Sequence, residues 1–110
     1  MDITKQFTQS QIGRNLMKKV RWRGDDLYLV KKFFNHNGNM SVFLIDDTKY
    51  PYLQVNFTSP DVFLEANEII VNDSNGNAGI KDVLVKEKLL VPTGRWVEYQ
   101  NEVCEICQVV

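Results

Sequence analysis

The chain has 110 residues, 44% hydrophobic and 25% charged, with a net charge of −1. That length fits one domain that buries roughly two-thirds of its unfolded surface, and the composition excludes a disordered tail or a fibrous repeat. Two cysteines are too few for a disulfide-stapled secreted scaffold, and apolar runs of a few residues exclude a membrane-spanning helix. The opening MDITKQFTQSQIG has no charged region followed by an apolar one, so we expect no secretory leader, no membrane partner and a cytoplasmic location.

From Thr4 to Arg21 the residues Ile12, Leu16, Met17 and Val20 recur at spacings of three and four, with Phe7 upstream, which predicts a first helix capped by Thr8 or Ser10. Gly13 weakens it by about 1 kcal/mol relative to Ala. Gly24, Asp25 and Asp26 make a turn. Leu27 to Phe57 then reads as a meander: a strand over Leu27–Phe34, an Asn/Gly loop over Asn35–Asn39, a strand over Met40–Ile45, a turn over Asp46–Lys49, and a strand over Tyr52–Phe57 preceded by Pro51. Val62, Phe63 and Leu64 form an apolar plug in the next connection, and Glu68–Val71 is a short extended piece. Ile80, Val83, Leu84 and Leu89 recur at helical spacing after the loop NDSNGNAG, with Asn75 or Asn77 as cap and Pro92 and Gly94 as terminators. Arg95–Tyr99 and Glu102–Val109 make a final hairpin around Gln100 and Asn101. The expected fold class is α+β in a single domain over 1–110. Residues 1–24 supply an N-terminal helix and basic segment, and 25–110 an antiparallel three-stranded meander extended by the C-terminal hairpin, with one further helix on the sheet.

No catalytic or metal constellation stands out. Cys104 and Cys107 form a CxxC, but VCEICQVV is β-branched and alternating, so residues three apart point to opposite faces, and the only histidine, His36, leaves a zinc site short of ligands. His36 lies in a hairpin loop with no nucleophile at a diagnostic spacing, and Asp46 and Asp47 read as turn residues. Asn72–Asn77 lacks the acidic pattern of a calcium loop, and no phosphate-cradling glycine motif occurs. We therefore expect no enzyme and no cofactor.

Charge is unevenly distributed. Eight Lys/Arg and three Asp/Glu precede Asn35, and five and eleven follow. The segment Lys18, Lys19, Arg21, Trp22, Arg23 offers cations for phosphates and an indole for base stacking, or else a solvated helix end with a tryptophan anchor. Glu65, Glu68, Asp73, Glu98, Glu102 and Glu105, if gathered on one side, form an acidic surface able to occupy the basic groove of a nucleic-acid-handling protein; otherwise folding interleaves both signs into a mixed surface.

The order of LYLVKKFFNHNGNMSVFLIDDTKYPYLQVNF, EIIVNDSNGNAGIKDVLVKEKLLVPTG and a Tyr-containing hairpin resembles a family of small bacterial proteins catalogued as a domain of unknown function and carried on plasmids, conjugative elements and phages. The matching positions are Asn35–Asn39, Pro51 and Tyr52, Val55–Phe57 and Pro92–Gly94, within about residues 27–100. The chain lacks the Cys-Pro-Trp of that family at the helix start, where it has Gly76 to Gly79. The resemblance implies an accessory gene of a mobile element, and the first expectation is a counter-defence inhibitor such as an anti-CRISPR protein, binding a Cas nuclease or its guide-RNA complex through the acidic surface. The alternatives are a nucleic-acid-binding accessory protein using Lys18–Arg23, or a structural or regulatory protein of the element.

Overall fold

The computed structural model describes residues 18–33, 40–48, 50–59 and 61–110. Eight strands run in chain order: β1 Lys18–Trp22, β2 Asp25–Phe33, β3 Met40–Ile45, β4 Pro51–Gln54, β5 Asn56–Phe57, β6 Glu68–Val71, β7 Leu90–Tyr99 and β8 Glu102–Val109. They form two antiparallel four-stranded sheets, ordered β1-β2-β3-β4 and β5-β6-β8-β7. The one helix among the described residues, α1, spans Ile80–Lys86 and follows a single 3-10 turn at Asn75–Asn77.

The sheets share one core. Val20 and Trp22 of β1, Leu27 and Leu29 of β2, and Val42 and Leu44 of β3 meet Ile69 and Val71 of β6 and Cys107 and Val109 of β8, while Ile80 and Leu84 of α1 join the same cluster. The opposite face of the first sheet carries a second buried cluster, Val30, Phe43 and Ile45 with Tyr28 against it. All six residues of β3 are accordingly buried, as a strand covered on both faces requires. The outer face of the second sheet gathers Ile70, Cys104 and Ile106 under Val62 and Leu64.

Two hairpins are closed by two-residue turns with left-handed backbone. Trp22 pairs with Asp25 across Arg23 and Gly24, whose φ values are 50° and 87°, and Tyr99 pairs with Glu102 across Gln100 and Asn101, at 52° and 65°. These are type I′ geometries, whose twist matches that of the flanking strands. The passage between sheets is built differently. Val55 N–H donates to Val42 O of β3 at 2.7 Å and Val55 O accepts from the N–H of Asn72, the residue after β6, at 2.8 Å, so this residue bridges from the first sheet to the end of a strand of the second. Asn56 follows with its side chain aimed back at β3: Nδ2 donates to Met40 O at 2.8 Å and Oδ1 accepts from Val42 N–H at 2.9 Å. The carboxamide thus replaces a strand's peptide group where the backbone has already left for the other sheet.

The expected α+β arrangement is therefore corrected to a mostly β fold. Lys18–Arg21, read as the end of a helix, is strand; Thr4 to Met17 lie outside the described residues. The reason is local: Val20 and Trp22 are buried while Lys19 and Arg21 are exposed, a period of two that the Arg23–Gly24 turn pairs onto β2. The meander is not a three-stranded unit, because β1 adds a fourth strand and the third breaks at Val55, so that Asn56–Phe57 belongs to the second sheet. Nor does the final hairpin extend the meander, since β7 and β8 pair with β6. The helix is shorter than its apolar spacing suggests: Gly79 caps it, not Asn75 or Asn77, and Leu89 and Leu90 lead into β7. Pro92 and Gly94, read as terminators, lie inside that strand at a bulge.

Candidate functional site

The densest set of charged and aromatic groups lies where the start of α1 meets the β7–β8 hairpin. Asp73 fixes the helix start, its Oδ1 accepting from the N–H groups of Gly79 and Lys81 at 3.0 Å each. Gly79 has φ 93° and lies against the edge of Trp22, where an added Cβ would stand 3.7 Å from the indole. The tryptophan of β1 thus abuts the helix cap that positions Lys81.

Lys81 Nζ reaches β8 and pairs with Glu105 Oε1 at 3.0 Å, in a setting where the two side chains are 19% and 8% exposed. The other carboxylate oxygen accepts Gly94 N–H at 3.2 Å. Gly94, at φ 80°, occupies the β7 bulge, where the register jumps from Pro92 opposite Cys107 to Arg95 opposite Ile106. Thr93 supports the same bulge, donating through Oγ1 to Ile106 O and accepting from Arg95 N–H. Glu105 therefore ties the helix to the bulge, and every polar atom it buries has a partner.

Trp96 stands directly opposite Glu105 and shares its face of the hairpin. Its ring centroid is 4.8 Å from Lys81 Nζ, yet 54% of the residue is exposed. Glu98 faces Val103, which is 68% exposed, so Trp96, Glu98 and Val103 form one open strip. Beside it lies a depression of about 180 Å³ bordered by Asp73, Ser74, Lys81, Trp96, Glu102 and Glu105. Ser74 Oγ donates to Glu102 Oε2 across it.

Burial alone would lower the Lys81 pKa, but the Glu105 hydrogen bond and charge, with Asp73 behind, outweigh it and raise the ammonium above its usual range. An amine held in that state is no Schiff-base nucleophile. Burial also pushes the Cys107 thiol up to about 11 and raises that of Cys104, so neither is a thiolate near neutrality. The two cysteines are free and belong to clusters on opposite faces of the second sheet. Among the described residues no group of His, Cys, Asp and Glu is arranged to hold a metal ion.

The six acidic residues do not form one bare field. Asp73, Glu102 and Glu105 gather around Lys81, and Glu98 lies along the same hairpin. Glu65 and Glu68 sit apart near Arg95, which forms an ion pair with Glu68, and Glu65 N–H donates to the same carboxylate at 2.8 Å. Burial pushes the Glu68 carboxyl up, but these two partners leave it below its ordinary value. The basic segment is also altered by folding. Lys18, Lys19 and Arg21 are exposed on β1, and the last two share Asp26 at 3.5 Å each. Trp22 is only 5% exposed, with the Arg23 guanidinium 4.6 Å from its ring centroid, so its indole is part of the core and unavailable to a base. A second acidic concentration escaped the sequence reading: Asp25, Asp26, Asp46 and Asp47 border one depression with Tyr52, whose hydroxyl donates to Asp25 at 2.9 Å. Only the strand pairing brings these two dipeptides together.

No helix among the described residues is long and apolar enough to cross a membrane. No family model, curated protein or solved structure matches the chain, so the resemblance over residues 27–100 rests on its own short motifs.

Proposed function

We propose that the chain is a non-enzymatic binding protein of a bacterial mobile element, acting in the host cytoplasm as a counter-defence inhibitor. Its partner is a positively charged surface of a nuclease complex such as a CRISPR-Cas effector. The observation that carries this reading is the open strip of Trp96, Glu98 and Val103 on the β7–β8 hairpin. An exposed tryptophan beside an apolar neighbour is the composition of an interface hot spot, and carboxylates around it favour and steer a basic partner. Among the described residues Glu98 and Glu102 make no ion pair, and the Glu102 side chain accepts from the Ser74 hydroxyl, so neither carboxylate faces a cation of these segments.

The test is inhibition of DNA cleavage by reconstituted Cas effectors, with binding measured in parallel. Trp96→Ala should weaken binding about 30-fold, the equivalent of roughly 2 kcal/mol for a hot-spot side chain. Glu98→Lys with Glu102→Lys should slow association and invert its salt dependence. Wild-type inhibition by folded forms of these variants would remove this surface from the mechanism. The competing reading, nucleic-acid contact through Lys18–Arg23, keeps exposed cations but loses its stacking platform. Salt-dependent binding of single-stranded DNA, abolished by Lys18→Glu with Arg21→Glu, would favour it.

A further inference from the structure

The four outer edges of the sheets are not equally protected. β1 carries Lys18, Lys19 and Arg21 and has α1 packed against it. β4 is four residues long and begins with Pro51, and β5 has two residues. Charge, proline and shortness are the usual means by which an edge avoids pairing with another chain. The first half of β7 has the same protection from Pro92 and the Gly94 bulge. The second half, Arg95–Tyr99, is the least protected: five consecutive residues, in register with β8, free of Pro and Gly, whose two charges, Arg95 and Glu98, are of opposite sign.

The hairpin turn sets which groups that edge presents. In a two-residue hairpin the flanking pair, here Tyr99 and Glu102, exchanges hydrogen bonds, and the pattern alternates from there. The N–H and C=O of Trp96 and Glu98 therefore point away from β8, and no backbone group of the described residues meets them.

We infer that this edge pairs with the same edge of a second copy, antiparallel, about a two-fold axis at Val97. In that register Trp96 and the second copy's Glu98 exchange both backbone hydrogen bonds, and the symmetric pair does the same, giving an isologous contact of four bonds. Val97 lies on its counterpart, Arg95 lies opposite Tyr99, and no like charges are opposed. Each Glu98, which makes no ion pair among the described residues, arrives beside the Trp96 ring that Lys81 overlies. Neighbouring registers are worse. Centring on Glu98 opposes two carboxylates, and centring on Trp96 brings the Gly94 bulge into the ladder. The same operation on β1 would set cations against cations. The product is one continuous eight-stranded sheet with two Trp96 strips side by side on one face. The partner reading above is independent of this contact.

Equilibrium sedimentation of the full chain over a concentration series tests it without any partner protein. The expected mass rises toward twice the 12.8 kDa of one chain. Glu98→Pro removes an outward N–H and leaves the β7–β8 ladder intact, so its mass should stay at that of a single chain. A wild-type mass fixed at one chain, or a Glu98→Pro variant that dimerises like the wild type, overturns the proposal. Should that variant fail to fold, amide exchange of the wild type decides. The Trp96 and Glu98 amides should slow at least tenfold between dilute and concentrated samples, and concentration-independent exchange overturns the contact. Failure here leaves inhibition of a nuclease untouched, and loss of inhibition by Trp96→Ala leaves the mass series untouched.

Discussion

Replacing Asn56 by Ala tests the junction between the sheets. The wild-type carboxamide is 4% exposed; it accepts from the N–H of the fully buried Val42 and donates to the carbonyl of Met40, with a longer contact of 3.4 Å to Phe57 O. Truncation leaves both backbone groups without their side-chain partner, at about 1–3 kcal/mol for each unsatisfied buried group. The small void adds about 1 kcal/mol. A loss of about 3–7 kcal/mol is therefore expected, a large share of the roughly 5–15 kcal/mol that holds a domain of this size. Urea unfolding followed by tryptophan fluorescence reads it directly, since Trp22 is in the core and becomes exposed on unfolding. A companion variant, Asn56→Asp, separates shape from donor chemistry. Its carboxylate still accepts from Val42 but repels the Met40 carbonyl, whereas the protonated acid donates to it. Folding then favours the protonated form, so the variant should be weakest at neutral pH and recover part of the deficit as the pH falls through the carboxylate range. A loss under 1 kcal/mol for Asn56→Ala, or an Asp variant indifferent to pH, would refute the claim that the side chain substitutes for a peptide group.

Lys81→Met should destabilise by about 3 kcal/mol or more, because it strands Glu105 in a nearly buried setting, and adding Glu105→Leu should restore most of it; denaturant titration of both variants checks the recovery. Cys107 gives an alkaline prediction. Its folded pKa of about 11 lies above the roughly 8.5 of an unfolded thiol, so the stability tied to its proton is complete below the lower value and is lost as pH rises through the interval. Cys107→Val should flatten that part of the stability profile, and an unchanged profile would assign it elsewhere. Asp46 gives an acid prediction of opposite sign. The Thr48 hydroxyl hydrogen bond, with the N–H groups of Tyr50 and Thr48, holds its carboxyl below the ordinary value despite some desolvation. Its contribution is present at neutral pH and lost as pH falls through the carboxylate range, so Asp46→Asn should lessen acid sensitivity in thermal melts.

Strand positions between Leu27 and Phe57 were legible because β-branched and aromatic runs are punctuated by turn residues, a local signal. Sheet membership was not. Nothing in YLQVNF marks Val55 as the residue that leaves one sheet for the other; that depends on Met40 and Val42 standing opposite Asn56, a contact made sixteen and fourteen residues away. At Lys18–Trp22 two periodicities compete in one segment. Leu16, Met17 and Val20 suit a helix, Val20 and Trp22 suit a strand, and pairing through Arg23–Gly24 decides it. Pro92 and Gly94 carried real punctuation but of a bulge, whose bonds to Glu105 and Ile106 come from another strand. For the site, the acidic residues were visible, whereas the partition that neutralises Glu68 and Glu105 depends on Arg95 and Lys81 arriving from distant segments. Trp96 reads in the sequence only as a hairpin residue, since exposure of an aromatic cannot be read from alternation.

The seam at Val55 also divides the molecule in time. β1 to β4 are sequential neighbours joined by short connections, so the first sheet closes at small loop-closure entropy, whereas β6 must wait for β8, more than thirty residues further along the chain. During synthesis from the N-terminus the first sheet is complete before its apolar cover of Ile69, Val71, Cys107 and Val109 exists. The nascent protein therefore passes through a stage in which Leu27, Val42 and Leu44 face water, and the pairing of β8 with β6 ends it.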